Sequence, residues 1–182
     1  MSQAKGRIEI PLSKQDLREV TAYAAQCAEV VLEIFEQVRP DDSRPRDAVD
    51  AAWAFARGGE RGKLLRDTAW AAHRAAREEG VTPAADNVAR AAMAAASAAY
   101  LHPLADAHQV KHILGAAVHA ARAVELLAGD NPDVGAEHLD QARRHATPAM
   151  VEVLKRYPDA PPGGGRVGEL LRHLDHTLRT TP

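Results

Sequence analysis

Alanine is the feature that most constrains this chain. Hydrophobic residues make up 46% of it but aromatics only 4%, and alanine is the commonest of the apolar residues, with Leu and Val as the bulkier filler. Alanine loses no side-chain entropy in a helix and buries no polar group, which makes it the best helix former. Helices faced with alanine also approach closely, to about 8 Å between axes. At 182 residues the chain is long enough for one domain with a real core. An all-α, single-domain bundle of about seven helices over residues 1–182 is therefore expected.

Capping residues and prolines divide the chain. Ser13 with Asp16 marks the first helix start. Leu17, Val20, Ala24, Cys27, Ala28, Val31, Phe35 and Val38 then follow at helical spacing, predicting one helix up to Pro40, preceded by a tail over 1–12. Pro45 opens a second helix, ended by Gly58-Gly59. A third spans about 61–79. The fourth, from Thr82-Pro83 to His102-Pro103, has a nearly bulk-free inner face at Val88, Ala92, Ala95 and Ala99. A fifth covers 104–128. Asn131-Pro132 opens the sixth, which Thr147-Pro148 kinks or divides. A Pro/Gly linker over 158–165 precedes the last helix, 166–179, with Val167, Leu170, Leu171, Leu174 and Leu178 on one face. Strand-like alternation is confined to a weak trace at Ile8-Glu9-Ile10.

The formal net charge of −2, with a pI near 6.5, gives no footprint for nucleic acid or an anionic membrane. The longest stretch without charged side chains, 91–105, is too short to span a bilayer. Met1–Arg7 lacks the apolar run of a secretory signal. A single cysteine, Cys27, fits a reducing compartment and reads as core. A cytoplasmic protein is expected.

The segment 104–128 carries the most candidate chemistry. Val110, Ile113, Ala117, Ala121 and Val124 share one face; His108, His112 and His119, with Gly115, share the opposite one. Glycine inside a helix costs about 1 kcal/mol relative to alanine, and the usual reason is close approach by a backbone or ligand. This helix is read as two-sided, with a core face and a polar face bordering a cleft; the alternative is that the histidines simply meet water. His108 and His112 have chelating spacing, but His119 lies about 10 Å beyond His112 along the axis, so no metal is assigned and no cofactor is called for. Arg44 and Arg46 beside a helix start could hold an anion or pair with Glu29 and Glu33; the ion pair is preferred. Arg66, Trp70, His73 and Arg77 share a face that could hold a planar anion or a partner. The expectation is instead that Trp70 lies under the arginine stems. Gly163-Gly164-Gly165-Arg166 lacks a P-loop ending and reads as a hinge. It would let the last helix dock in cis or cross to a second copy, giving a homodimer. No nucleophile elbow or Ser-His-Asp order is present.

Three segments carry a resemblance: Arg44-Pro45-Arg46-Asp47-Ala48-Val49-Asp50-Ala51-Ala52-Trp53, Ala71-Ala72-His73-Arg74-Ala75-Ala76-Arg77, and His108-Gln109-Val110-Lys111-His112-Ile113-Leu114-Gly115-Ala116-Ala117. Across about 17–128 the chain resembles the Imm-5-like putative immunity protein family of bacterial polymorphic toxin systems. The resemblance implies an all-helical fold and neutralisation of a cognate toxin by direct binding, with no catalytic residues to carry over. An acidic patch, Glu29, Glu33, Glu36, Asp41 and Asp42, is the candidate partner surface. The alternative is a small-molecule site or enzyme. There His102, His108, His112 and His119 would supply acid–base groups, and Arg44, Arg46, Trp70, His73, Arg77 and Lys111 would bind the ligand. A cavity touched by two of these histidines and an arginine would favour that alternative. Of the two, the binding module is preferred.

Overall fold

Side-chain caps set four of the helix starts, and these fall where the sequence places them. The computed structural model describes residues 8–181; residues 1–7, which contain the segment judged not to be a secretory signal, and Pro182 lie outside the described residues. Among the described residues there are nine α-helices and no β-strand. These are α1 (Lys14–Glu29), α2 (Leu32–Val38), α3 (Arg44–Ala56), α4 (Lys63–Ala76), α5 (Pro83–Ala98), α6 (Val110–Leu127), α7 (Pro132–His145), α8 (Pro148–Lys155) and α9 (Gly165–Thr180). Ser13 Oγ accepts from the Asp16 N–H while Asp16 accepts from the Ser13 N–H, closing a capping box. Thr82, Asn131 and Thr147 cap α5, α7 and α8, each followed by a proline that has no N–H to leave unpaired.

Two boundaries differ from expectation. The first helix breaks after Glu29, and α2 restarts at Leu32. Two adjacent β-branched residues, Val30 and Val31, weaken the helix there, and the bend lays Leu32 and Phe35 against α5. The helix expected from 104 begins at Val110 instead. Residues 104–109 are held by the chain at 8–10, with Ala105 N–H donating to Ile8 O (2.9 Å) and Ile10 N–H to Pro103 O (3.0 Å). The alternation at Ile8–Ile10 is thus realised as an isolated bridge, Glu9 to Leu104, and Ile10 is buried.

α5 and α6 pack on each other at the centre. α1 to α4 also pack on α5; α1, α7 and α9 pack on α6. α5 was expected to show one inner face, but it is buried nearly all round, with alanines on every side. A methyl side chain takes little room, so five neighbouring helices can pack against α5. α9 docks in cis, its leucines 170, 171, 174 and 178 buried against the same chain. A buried ion cluster fixes α6, α7 and α9 together. Glu125 is 0% exposed and accepts from Arg122 (2.8 Å) and Arg166 (2.5 Å). Gly135 of α7 leaves the space that the Glu125 carboxylate occupies. Burial alone would raise the Glu125 pKa; Arg166 and Arg122 outweigh it and hold the carboxyl below its ordinary value. Cys27 is 2% exposed, and burial pushes its thiol up to about 12.

Candidate functional site

The Pro/Gly segment turns the histidine side of α6 into a cavity. Gly163, Gly164 and Gly165 all have positive φ (82°, 81° and 55°), a conformation side chains disfavour. They fold the chain back over α6 as α9 begins. The expected hinge is pinned. Arg172 donates to Pro161 O (3.2 Å) and Gly163 O (2.7 Å), Ala160 N–H to Asp175 (2.9 Å), and Arg179 to Tyr157 O (3.0 Å). At Gly168, an added Cβ would sit 2.9 Å from the Gly163 carbonyl carbon and closer still to its oxygen. α9 therefore touches the loop backbone directly.

Beneath this roof lies a cavity of about 360 Å³, with Met93 and Ser97 of α5 on one side and Lys111, His112, Gly115 and His119 of α6 on the other. A second hollow of about 220 Å³ adjoins it, sharing Met93, Ser97 and His112 and adding Arg66, Trp70 and Tyr100. At Gly115, which borders the cavity, a Cβ would meet the Ala94 methyl of α5 at an ordinary contact distance of 3.4 Å.

His119 has a defined proton arrangement. Asn87 Nδ2 donates to Pro83 O (2.9 Å), which turns Asn87 Oδ1 towards His119 Nδ1 at 2.9 Å. An oxygen there accepts, so Nδ1 carries the hydrogen and Nε2 keeps its lone pair. Burial pushes the His119 pKa down to about 4, and the Arg90 charge adds to the shift. The ring is neutral near pH 7. His112 is also lowered by burial; a hydrogen bond to the Ser97 backbone opposes the shift and the neighbouring His102 adds to it.

Two of the three histidines expected on one face of α6 thus reach the cavity, and they border it as neutral rings. His108 does not. It lies in a 3-10 turn (Ala107–Gln109) before α6, exposed, with Nδ1 3.1 Å from Asp106 Oδ1. His102 is exposed outside the main cavity; its N–H donates to Gln109 (2.9 Å) and its carbonyl accepts from Tyr157 Oη (2.8 Å). Arg44 and Arg46 line neither hollow. They form ion pairs as expected, but with other partners: Arg44 with Asp42 and Glu78, Arg46 with Glu36. Glu29 instead accepts from Trp53 Nε1 (3.1 Å), and Glu33 from Gln37 (3.1 Å). Asp41 is exposed. Trp70 is not under arginine stems: it is 63% exposed, edge-on to His73 at 5.8 Å, while Arg66 lies over Tyr100. Arg77 is exposed. Among the described residues no cluster of three or more His, Cys, Asp or Glu could hold a metal, and no helix is long and apolar enough to cross a membrane.

Sequence reasoning missed Asn87, Ser97 and the roof. Asn87 is the one amide inside the alanine-rich α5, a signal in itself; the roof has no signal beyond the glycine run.

The Imm-5-like putative immunity protein family matches residues 11–148, well over half the chain. The chain belongs to this family. The match spans α1 to α7, whereas the roof over 160–168 and α9 lie outside it. No curated protein and no solved structure matches the Imm-5-like chain.

Proposed function

We propose that this Imm-5-like protein neutralises a cognate protein toxin by binding it directly, with Trp70 as the anchor of the contact. Family membership supports the role, and the exposure of Trp70 is the observation that carries the surface. A tryptophan left 63% exposed on a helix, edge-on to His73 and bordering the hollow with Arg66 and Tyr100, is apolar area that folding has not used. Tryptophan, tyrosine and arginine are the residues that most often dominate interface energetics. The acidic patch contributes less than its composition suggests. Glu36 and Asp42 are engaged by Arg46 and Arg44, which leaves Glu29, Glu33 and Asp41 as exposed carboxylates. These steer a basic toxin rather than anchor it.

Titration calorimetry with the toxin encoded beside this gene tests the reading. Trp70→Ala should weaken the complex about thirtyfold, the effect of a hot-spot loss near 2 kcal/mol. Glu33→Lys with Asp41→Lys should mainly slow association. Absence of any complex overturns the role; an unaltered affinity in Trp70→Ala overturns the surface.

A further inference from the structure

The cavity under the Pro161–Gly164 roof is a different feature from the Trp70 surface, and toxin binding does not account for it. Its size, about 360 Å³, is at the small end of the range for ligand sites. That is room for one ring-sized body. The walls are mainly apolar: Met93, Val118, Val167 and Leu171, with the prolines of the roof. Besides Ser97 and His112 on the flank, two polar groups at its ends break this lining in opposite ways. At the buried end, the Asn87 hydrogen bond commits His119 Nδ1–H, so Nε2 is the nitrogen left for a ligand, and it can only accept. At the exposed end, Lys111 takes part in no ion pair among the described residues, and no Asp or Glu lines the cavity. The two residues are eight apart on α6, a rise of about 12 Å, and the flexible lysine stem shortens the span a ligand must cover.

We propose that this cavity binds a small amphipathic monoanion: a ring-sized apolar body with a hydroxyl or N–H donor at its inner end, donating to His119 Nε2, and a carboxylate at its outer end, held by Lys111. The specificity follows from the chemistry. A ligand without the donor would bury the imidazole lone pair unmatched, and one without the anion would forgo the ammonium at the mouth. The roof that closes the site belongs to residues outside the family match, so the site is expected to vary within the family.

Calorimetry on the whole chain with 3-(4-hydroxyphenyl)propionate as the probe tests this. Saturable binding is expected, weakened at least about tenfold when the probe is replaced by its methyl ether or its primary amide. Lys111→Glu changes an exposed side chain and should lower affinity for the acid by a similar factor while leaving the amide unaffected. His119→Phe should erase the preference for the hydroxyl over the ether. Lack of saturable binding by all three compounds up to about 10 mM, a limit corresponding to negligible affinity, overturns the proposal. So does equal binding of the three, or binding indifferent to Lys111→Glu.

Discussion

Replacing Gly168 by alanine should loosen the roof, although in an ordinary helix the same change would stabilise. Gly to Ala inside a helix gains about 1 kcal/mol. At this position the new methyl would lie 2.9 Å from the Gly163 carbonyl carbon, nearer still to its oxygen, and 3.1 Å from Arg172 Nη1. The loop must retreat, and in doing so it strains or breaks the Arg172 hydrogen bond to Gly163 O, now 2.7 Å. Overpacking of this kind costs about 1–3 kcal/mol, and a hydrogen bond from a charged donor contributes about 1.5–3 kcal/mol. Against the propensity gain, the net destabilisation is about 2 kcal/mol, or roughly 4–8 °C in Tm for a domain of this size. Gly115→Ala is the matched contrast. Its methyl would only touch Ala94 Cβ at 3.4 Å, so its Tm should be unchanged or up to about 3 °C higher. Thermal melts followed by circular dichroism at 222 nm decide the matter. A Gly168→Ala variant that melts at or above the native temperature would refute direct packing of α9 on the loop.

Glu125→Gln removes a fully covered carboxylate from between Arg122 and Arg166, which stay partly exposed and keep Asp130 and Glu169 as partners, and should cost about 2 kcal/mol in urea unfolding at pH 7. The Glu125 pKa is lowered in the folded state, so its contribution is complete above the ordinary carboxylate range and disappears as pH falls through the lowered value. The native and Glu125→Gln stabilities should therefore converge in acid, and parallel curves would contradict the ion cluster. Cys27, buried with its thiol pushed up to about 12, should resist iodoacetamide at pH 8 until the chain unfolds; prompt labelling of the folded protein would place it at the surface.

Much of the fold was legible because helix starts are local chemistry. Ser13 with Asp16, Thr82-Pro83, Asn131-Pro132 and Thr147-Pro148 each carry both the cap and the helix-compatible residue that follows. Three things were not legible. The inner face of α5 read at Val88, Ala92, Ala95 and Ala99 is buried, but alanine suits a core and a surface equally, so only the surrounding helices decide that its other sides are covered too. Trp70 lies at helical spacing among arginines, a pattern that fits a covered ring as well as an open one; the arginine neighbour Arg66 in fact stacks on Tyr100. The candidate site depends on residues far apart in sequence. Helical spacing placed His112 and His119 on one side of α6, but the loop that covers them is about 40 residues further along. No local pattern announces where a glycine run will be pinned.

The arrangement of His119 under that loop is the part of the account on which the cavity rests. Histidine-selective ¹⁵N NMR across pH 3–8 reads it directly. The Asn87 hydrogen bond should hold the Nδ1–H tautomer at neutral pH and burial a His119 pKa of about 4, so the folded chain gives up stability as pH falls from the free-histidine range near 6.5 towards that value. An Nε2–H tautomer, or a His119 ring that titrates near 6.5, would contradict it.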